Sequence, residues 1–433
     1  MLFDDSSEFY DQLFPPTNNI LENGLLLADD YIPDHIVARD AEKKTVAHNL
    51  SPITQNSKPN NMYIWGDNGV GKTIVVRHII SVLKDGLARK NKAVRVSTIT
   101  INCKMIHNTN SAFYDILYQL TGTKPKQKLN RYNYFNQICD VINTRARDYQ
   151  FYAIIIFLDE IDGLQDPNDI LYMLTRAKTT QQITANNVVL GIILATNQRK
   201  YIERLDPAVI SSGAFRECPF PDYNVDELCQ ILQSRKDAFK PGVISDELLL
   251  YCADKVAEKY HGDARKVIDI IRESAYSAIE KSALTITIDD IDAAEKIVNA
   301  RSIFDSLKNL TLHDKLILLA ISIAKDVITR EAPDALLLSG VVLAAYRGIC
   351  TAIGKEPNNY TYASSRITAL AKKQYIHAEK RENYGNTKSI HIYPELDGFI
   401  EKLFDPATLQ LIKMNYSDIE ALIIPKIKKQ KHP

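Results

Sequence analysis

What the chain lacks narrows its class before any motif is read. It has no excess of either charge: Lys plus Arg and Asp plus Glu each total 53. A basic surface over the whole molecule is therefore excluded, and any surface for nucleic acid must be local. None of the six cysteines, Cys103, Cys139, Cys218, Cys229, Cys252 and Cys350, sits in a Cys-x-x-Cys pair or at finger spacing from a histidine. That excludes a zinc finger and a disulfide scaffold and leaves reduced, mostly buried thiols. No apolar run approaches the roughly 18 residues that a membrane span requires. The start, Met1-Leu2-Phe3-Asp4-Asp5, is acidic where a signal peptide is basic, so a cytoplasmic protein with no membrane partner is expected. What remains is a chain of 433 residues, 45% hydrophobic, enough for two or three domains with cores of their own.

One stretch organises the rest: Tyr63-Ile64-Trp65-Gly66-Asp67-Asn68-Gly69-Val70-Gly71-Lys72-Thr73. An apolar run empties into a glycine-spaced turn that closes on Gly-Lys-Thr, the phosphate-loop pattern at every fixed position. The types follow from the chemistry. A polyphosphate is met by inward backbone N–H groups, and Gly66, Gly69 and Gly71, with Asp67, Asn68 and Val70 between them, let the backbone come close. Lys72 then reaches the β and γ phosphates, Thr73 offers its hydroxyl to Mg²⁺, and the following helix turns its positive end to the anion. A glycine-rich turn before an ordinary helix is the plainer alternative.

Ala153-Ile154-Ile155-Ile156-Phe157-Leu158 is continuously apolar, as a strand buried on both faces of a parallel sheet must be, and it ends in Asp159-Glu160-Ile161-Asp162. Asp159 is expected near Thr73 in the Mg²⁺ shell and Glu160 beside the attacking water; a helix cap is the alternative. Residues 188–194 read as a second buried strand ending at Ala195-Thr196-Asn197, where Asn197 is either a turn residue or a sensor of the γ-phosphate. Helical patterning runs from Asp226 to about residue 300. Within it, Gly262-Asp263-Ala264-Arg265 opens a helix whose Arg265 opposes the dipole and so wants an anion.

Two places are locally basic. Lys124-Pro125-Lys126-Gln127-Lys128-Leu129-Asn130-Arg131 precedes Tyr132, Tyr134 and Phe135; it is either a solvated loop beside core aromatics or a surface that touches nucleic acid. From Ser302 the pattern changes. Thr311-Leu312-His313-Asp314 looks like a capping box for a helix with Leu312, Leu316, Leu319, Ala320 and Ile323 on one face. Helices near 339–353 and 361–375 follow, the latter with Ile367, Leu370 and Ala371 inward and Arg366, Lys372 and Lys373 outward. Strands near 376–380 and 388–393 flank the turn Asn383-Tyr384-Gly385-Asn386. Three helices and a hairpin make a winged helix-turn-helix, for DNA or alternatively for protein contact. Arg366, Lys372, Lys373, Lys380, Arg381 and Lys388 outnumber Glu379 and Glu382 there, six to two. The tail with Lys426, Lys428, Lys429 and Lys431 is expected to be a disordered basic arm.

In this order and spacing, the lead-in from Tyr31-Ile32-Pro33 to Arg39, the loop at 66–73, Leu158-Asp159-Glu160-Ile161-Asp162, Ala195-Thr196-Asn197, Gly262-Asp263-Ala264-Arg265 and the terminal winged helix resemble one family. It is that of the archaeal replication initiators related to the largest subunit of the eukaryotic origin recognition complex and to the helicase-loading cell-division-cycle protein, members of the AAA+ ATPases. The resemblance spans about 31–403. It implies an undefined segment over 1–30, an α/β AAA+ P-loop domain with a parallel sheet over 31–222, a helical lid over 223–301, a winged helix over 302–404, and a C-terminal helix with a basic tail over 405–433. ATP and ADP with Mg²⁺ are the implied cofactors, and slow, switch-like hydrolysis the implied activity. Lys72, Asp159, Glu160, Asn197 and Arg265, the last as second sensor, inherit catalytic roles; Tyr31, Ile32, Pro33, Arg39 and Tyr223 inherit nucleotide contacts.

Implied contacts to double-stranded origin DNA come from Lys126, Lys128 and Arg131, where the initiator clade inserts a helix, and from Ser365, Arg366, Lys372, Arg381, Tyr384, Gly385 and Lys388. The replicative helicase and a paralogous initiator are the implied partners, and the location is cytoplasmic and nucleoid-associated. Two positions depart from the family pattern: Ala208 stands where relatives carry an arginine able to act as a finger, and Asn386 follows Gly385 where the wing usually has Gly-Arg. A non-initiating paralogue, a transcriptional regulator and a signalling NTPase stay open as rival readings.

Overall fold

The structure is a computed structural model that describes residues 20–28, 31–33, 35–90, 93–106, 108–125, 127–373, 375–380 and 387–430. The chain divides into two compact units, one up to Ala294 and one from Glu295 on. The expected contacts Lys126, Arg381, Tyr384 and Gly385 lie outside the described residues.

The first unit is built on a parallel sheet of β1 (Met62–Trp65), β2 (Val94–Asn102), β3 (Phe151–Asp159), β4 (Val188–Thr196) and β5 (Arg216–Pro219), in the order β2-β3-β4-β1-β5. Every residue of β3 is buried, which is why its sequence does not alternate. Its side chains nevertheless divide by parity. Ile154, Ile156 and Leu158 enter the core that holds the helices Thr109–Thr121, Arg131–Arg145 and Pro167–Arg176. Ala153, Ile155 and Phe157 enter the opposite core, with Val46 and Leu50 of the helix Asp40–Leu50 and Val75, Val76 and Ile80 of the helix Lys72–Lys90. Asn102 pairs with Asp159, and Trp65 pairs with both Thr196 and Pro219. This register brings the exits of all five strands to one edge, where open α/β sheets bind ligands.

Beyond β5, the helices Val225–Gln233, Asp246–Lys259 and Ala264–Glu280 form a layer started by explicit caps. Asn224 and Glu227 make a reciprocal capping box, and Asp263 accepts from the N–H groups of Arg265 and Lys266. The N-terminal segment lies against this layer: Leu21 bridges Phe239, and Arg272 donates to the Leu27 carbonyl at 3.0 Å. The helix Ile288–Lys308 runs on into the second unit.

The second unit has three helices, Leu312–Glu331, Ser339–Ala352 and Tyr360–Lys372, followed by the antiparallel hairpin β6 (Ile376–Lys380) and β7 (Lys388–Ile392). Ile390 N–H donates to the Leu337 carbonyl and Leu338 bridges Ser389, so the hairpin is seated on the chain that leads into the second helix. Three helices and then a hairpin is the order that the winged reading expects. Leu312 corrects the expected helix face: it is 44% exposed, because it occupies the first helical position and looks past the core.

The tail is a second correction. The expected C-terminal helix is present as two, Pro406–Met414 and Tyr416–Lys428, which place Ile412, Ile419, Ile423 and Ile427 in the core of this unit. Lys426 and Lys428 are therefore helical where a disordered arm was expected, and Lys431 lies outside the described residues. The isoleucines recur at helical spacing, so burial on one face settles the helix, and Lys426 and Lys428 ride on the other. Among the described residues no helix is long and apolar enough to cross a membrane.

Candidate functional site

The loop between β1 and its helix needs its glycines. Gly69 and Gly71 have φ of +74° and +88°, a region that L side chains avoid. A Cβ on Gly66 would lie 2.2 Å from the Phe220 carbonyl oxygen, one on Gly69 1.8 Å from Asp263 Oδ1, and one on Gly71 2.6 Å from the Tyr223 hydroxyl. The loop is therefore flanked by the exit of β5 on one side and the start of the helix Ala264–Glu280 on the other. A cavity of about 390 Å³ opens beside it, lined by Trp65, Gly66, Asp67, Asn197, Arg199 and residues 219–222. Trp65 Nε1 is buried there with no hydrogen-bond partner.

The two strand ends meet at the loop. Lys72 is 8% exposed and its ammonium donates to the carbonyls of Gly66 and Asp67 at 2.8 and 2.7 Å and to Asn197 Oδ1 at 2.8 Å. Burial pushes this ammonium below its ordinary pKa; Asp159 opposes the shift and Arg265 adds to it. Thr73 Oγ1 donates to Asp159 Oδ2 at 2.7 Å. Asp159 is 5% exposed, and burial raises its pKa against the Thr73 hydrogen bond. Glu160 sits at φ +51°, its carboxylate 4.0 Å from Lys104 Nζ, in the strained backbone common at functional positions.

A polyphosphate with a divalent cation fits this donor set. Among the described residues no group of three or more His, Cys, Asp or Glu could hold a metal by itself. A hydroxyl and one carboxylate side by side suit an ion that takes its remaining ligands from phosphate and water.

Asp162, quoted above only as part of the acidic run, emerges as a participant. Its carboxylate accepts from Thr196 Oγ1 at 2.7 Å and from Gln198 Nε2 at 3.3 Å, the residues on either side of Asn197. The spacing of the acidic run carried the signal, since Asp162 is one short turn beyond Asp159.

The lead-in residues divide. Arg39 is 2% exposed and binds protein carbonyls: Nε donates to Val70 O at 3.0 Å and Nη2 to Pro221 O, with its plane 3.6 Å from the Tyr223 ring. Tyr31 lies under the buried guanidinium of Arg235, 4.4 Å away, while Ile32 is 61% exposed. Pro33 is half-buried and Arg265 exposed.

The cations nominated for nucleic acid are less uniform than a charge count suggests. Lys128 and Lys372 are exposed. Arg131 pairs with Asp169 and lies 5.3 Å from the Tyr132 ring. Arg366 corrects the expected outward direction. Its Nε donates to Asp314 Oδ1 at 2.6 Å and its Nη2 to Oδ2, on a carboxylate side chain 1% exposed. Lys388 donates to Thr368, and Ser365 Oγ to the Tyr362 carbonyl at 2.7 Å.

Comparison with known proteins agrees with this geometry. A family model described as an AAA domain matches residues 55–205, and one described as a Cdc6 AAA+ ATPase-type lid domain matches 229–296. ORC1-type DNA replication protein 1 of Sulfurisphaera tokodaii is 31% identical over 381 residues, 87% of this chain and 90% of that protein. The ORC1-type DNA replication protein of Desulfurococcus amylolyticus is 31% identical over 409 residues, 93% and 96% of the two chains. The solved structure of the Aeropyrum pernix ORC1 protein in complex with DNA superposes with a TM-score of 0.74 at 26% identity, over 89% of this chain and 96% of that one. Cdc6p from Pyrobaculum aerophilum shares the fold, with a TM-score of 0.55 at 22% identity over 89% and 98%. With a phosphate loop, an acidic strand end and a capped lid in the family's own order, the chain belongs to the ORC1-type DNA replication proteins, archaeal initiators of the AAA+ ATPase class.

Proposed function

We propose that the protein is an ATP-dependent replication initiator: it binds duplex origin DNA through the second unit and helps to recruit or load the replicative helicase, alone or with a paralogous initiator. What carries the reading is that Lys72, Asn197, Thr73 and Asp159 are already joined by hydrogen bonds at one sheet edge in a chain that also bears a winged unit.

The N–H groups of 66–71 and the ammonium of Lys72 bind the β and γ phosphates of ATP, exchanging the Lys72 bonds to the neutral carbonyls of Gly66 and Asp67 for bonds to charged phosphate oxygens. Thr73 and Asp159 are the residues that would hold Mg²⁺, which when bound would neutralise phosphate charge. Glu160 orients the attacking water and accepts its proton. Asn197 follows the γ-phosphate, kept in register by Asp162. Arg265, exposed at the start of its helix, brings the lid to the nucleotide. In this reading hydrolysis is slow and acts as a switch on DNA binding rather than as a motor. Cytoplasmic, nucleoid-associated protein is the expected location.

Footprinting the purified protein on its own chromosome tests the reading. ATP-dependent protection confined to a few sites is the expected result, and protection no better than on random duplex would sink the origin claim. A non-initiating paralogue is favoured by one observation: Arg366 and Lys388, both nominated for DNA, are engaged within their own unit. Site-specific DNA binding without helicase recruitment would select that alternative.

A further inference from the structure

Apart from Glu42 in the helix that follows it, what Arg39 holds borders the phosphate loop. Its Nε takes the carbonyl of Val70, between the two left-handed glycines, and its Nη2 takes the carbonyl of Pro221. Its face covers Tyr223, whose hydroxyl is the atom that a side chain on Gly71 would strike. Nη1 lies 3.4 Å from Glu42, so the guanidinium is served on every edge, as a buried cation requires. Its own backbone is left-handed at φ +58°, and Ala38 before it at φ +56°. Two successive non-glycine residues in that region cost conformational energy that the surroundings must hold in place.

We propose that Arg39 is a positioning residue for the phosphate loop, a role resting on the reading of that loop as a nucleotide site. The Val70 carbonyl and the Gly71 N–H belong to one planar trans peptide and point in opposite directions. A donor that grips the carbonyl therefore aims the Gly71 N–H away from Arg39, as a loop that offers N–H groups to an anion needs. The second grip, on Pro221, ties that peptide to the segment through which the helical layer is attached. The geometry needs a fork: an ammonium cannot reach both carbonyls and cover Tyr223 at once.

The test uses the full-length chain with R39M and R39K, their folds checked by thermal melting. Hydrogen exchange without nucleotide is read first. The expected result is faster exchange in peptides covering 66–73 and 219–224 in both variants, with the rest of the first unit unchanged. Mg-ATP is then titrated against Trp65 fluorescence, specific because the chain has one tryptophan. Affinity should fall about tenfold in R39M, as expected for losing a charge-assisted hydrogen bond, and R39K should recover little of it. Affinity within twofold and unchanged loop exchange in a folded R39M would overturn the proposal, as would exchange raised evenly through the unit. If R39M does not fold, R39K carries the same exchange test. If wild-type protein binds no Mg-ATP, the nucleotide reading fails, while the exchange result still decides whether Arg39 positions the loop.

Discussion

The sheet edge of the first unit and the winged face of the second are both dense in charge, but they hold it differently. At the sheet edge Lys72, Asp159 and Arg39 are enclosed and each has several partners. On the winged face Lys372 and Lys373 stand in solvent, and the best-held cation, Arg366, is turned inward to Asp314. A site that performs chemistry needs its charges at fixed distances, so the fold makes them buried and over-determined. The surface proposed for DNA needs mobile charges, and the buried Asp314 with its partner Arg366 serves the frame.

The largest effect that would sharpen this contrast is at Lys72. Lys72→Ala should weaken Mg-ATP binding by at least about 100-fold, the scale of a phosphate–ammonium contact in an enclosed site, measured by Trp65 fluorescence. Unchanged affinity would break the assignment of the loop. Next, Glu160→Gln should leave that affinity within twofold and lower turnover by about 10² to 10⁴, the usual share of a positioned base, in a steady-state phosphate-release assay. Equal turnover would remove Glu160 from the chemistry.

In the second unit, Asp314→Ala should destabilise by roughly 3 kcal/mol, because it leaves the Arg366 charge without its partner, seen as a lower denaturation midpoint. Burial alone would raise the Asp314 carboxyl; the hydrogen bonds from Arg366 and Thr311 and the charge of Arg366 outweigh it and hold the pKa below the ordinary carboxylate range. A depressed acid contributes stability above its unfolded value and loses it as pH falls through the folded one. Melting of the second unit should therefore drop below about pH 4, and Asp314→Asn should flatten that slope.

The smallest effect has the opposite sign. Asp159 has its pKa raised by burial, so its ionised form costs stability at neutral pH, and the contribution present at low pH is lost as pH rises through the folded value. Asp159→Asn should slightly raise the nucleotide-free melting temperature, measured by calorimetry. A lower melting temperature would mean that the Thr73 hydrogen bond outweighs the burial.

The sheet was legible because burial on both faces leaves no room for anything but apolar side chains, so 153–158 declares itself, and the loop was legible because its backbone admits only glycine at fixed places. Arg39 was legible as a position and not as a role: a lone arginine before a helix is ordinarily solvated, and only the fold reveals two carbonyls converging on it. Asp162 had the same difficulty. Arg366 misled because Asp314, its partner, is 52 residues away. A C-terminal helix was expected from the family pattern, but Lys426 and Lys428 were read as part of a disordered arm because the lysines were weighed and the spacing of Ile412, Ile419, Ile423 and Ile427 was not.

Those last helices also bear on how the protein is made. Gln430 clamps both backbone groups of Leu336 across 94 residues, and Arg330 reaches Glu420 across 90. Contacts of such separation slow folding, since the loop must close before the contact can form. On the ribosome, the helix Ser339–Ala352 emerges long before the helix Tyr416–Lys428 that covers it. During that interval its apolar side is open to chaperones, to proteases and to neighbouring nascent chains.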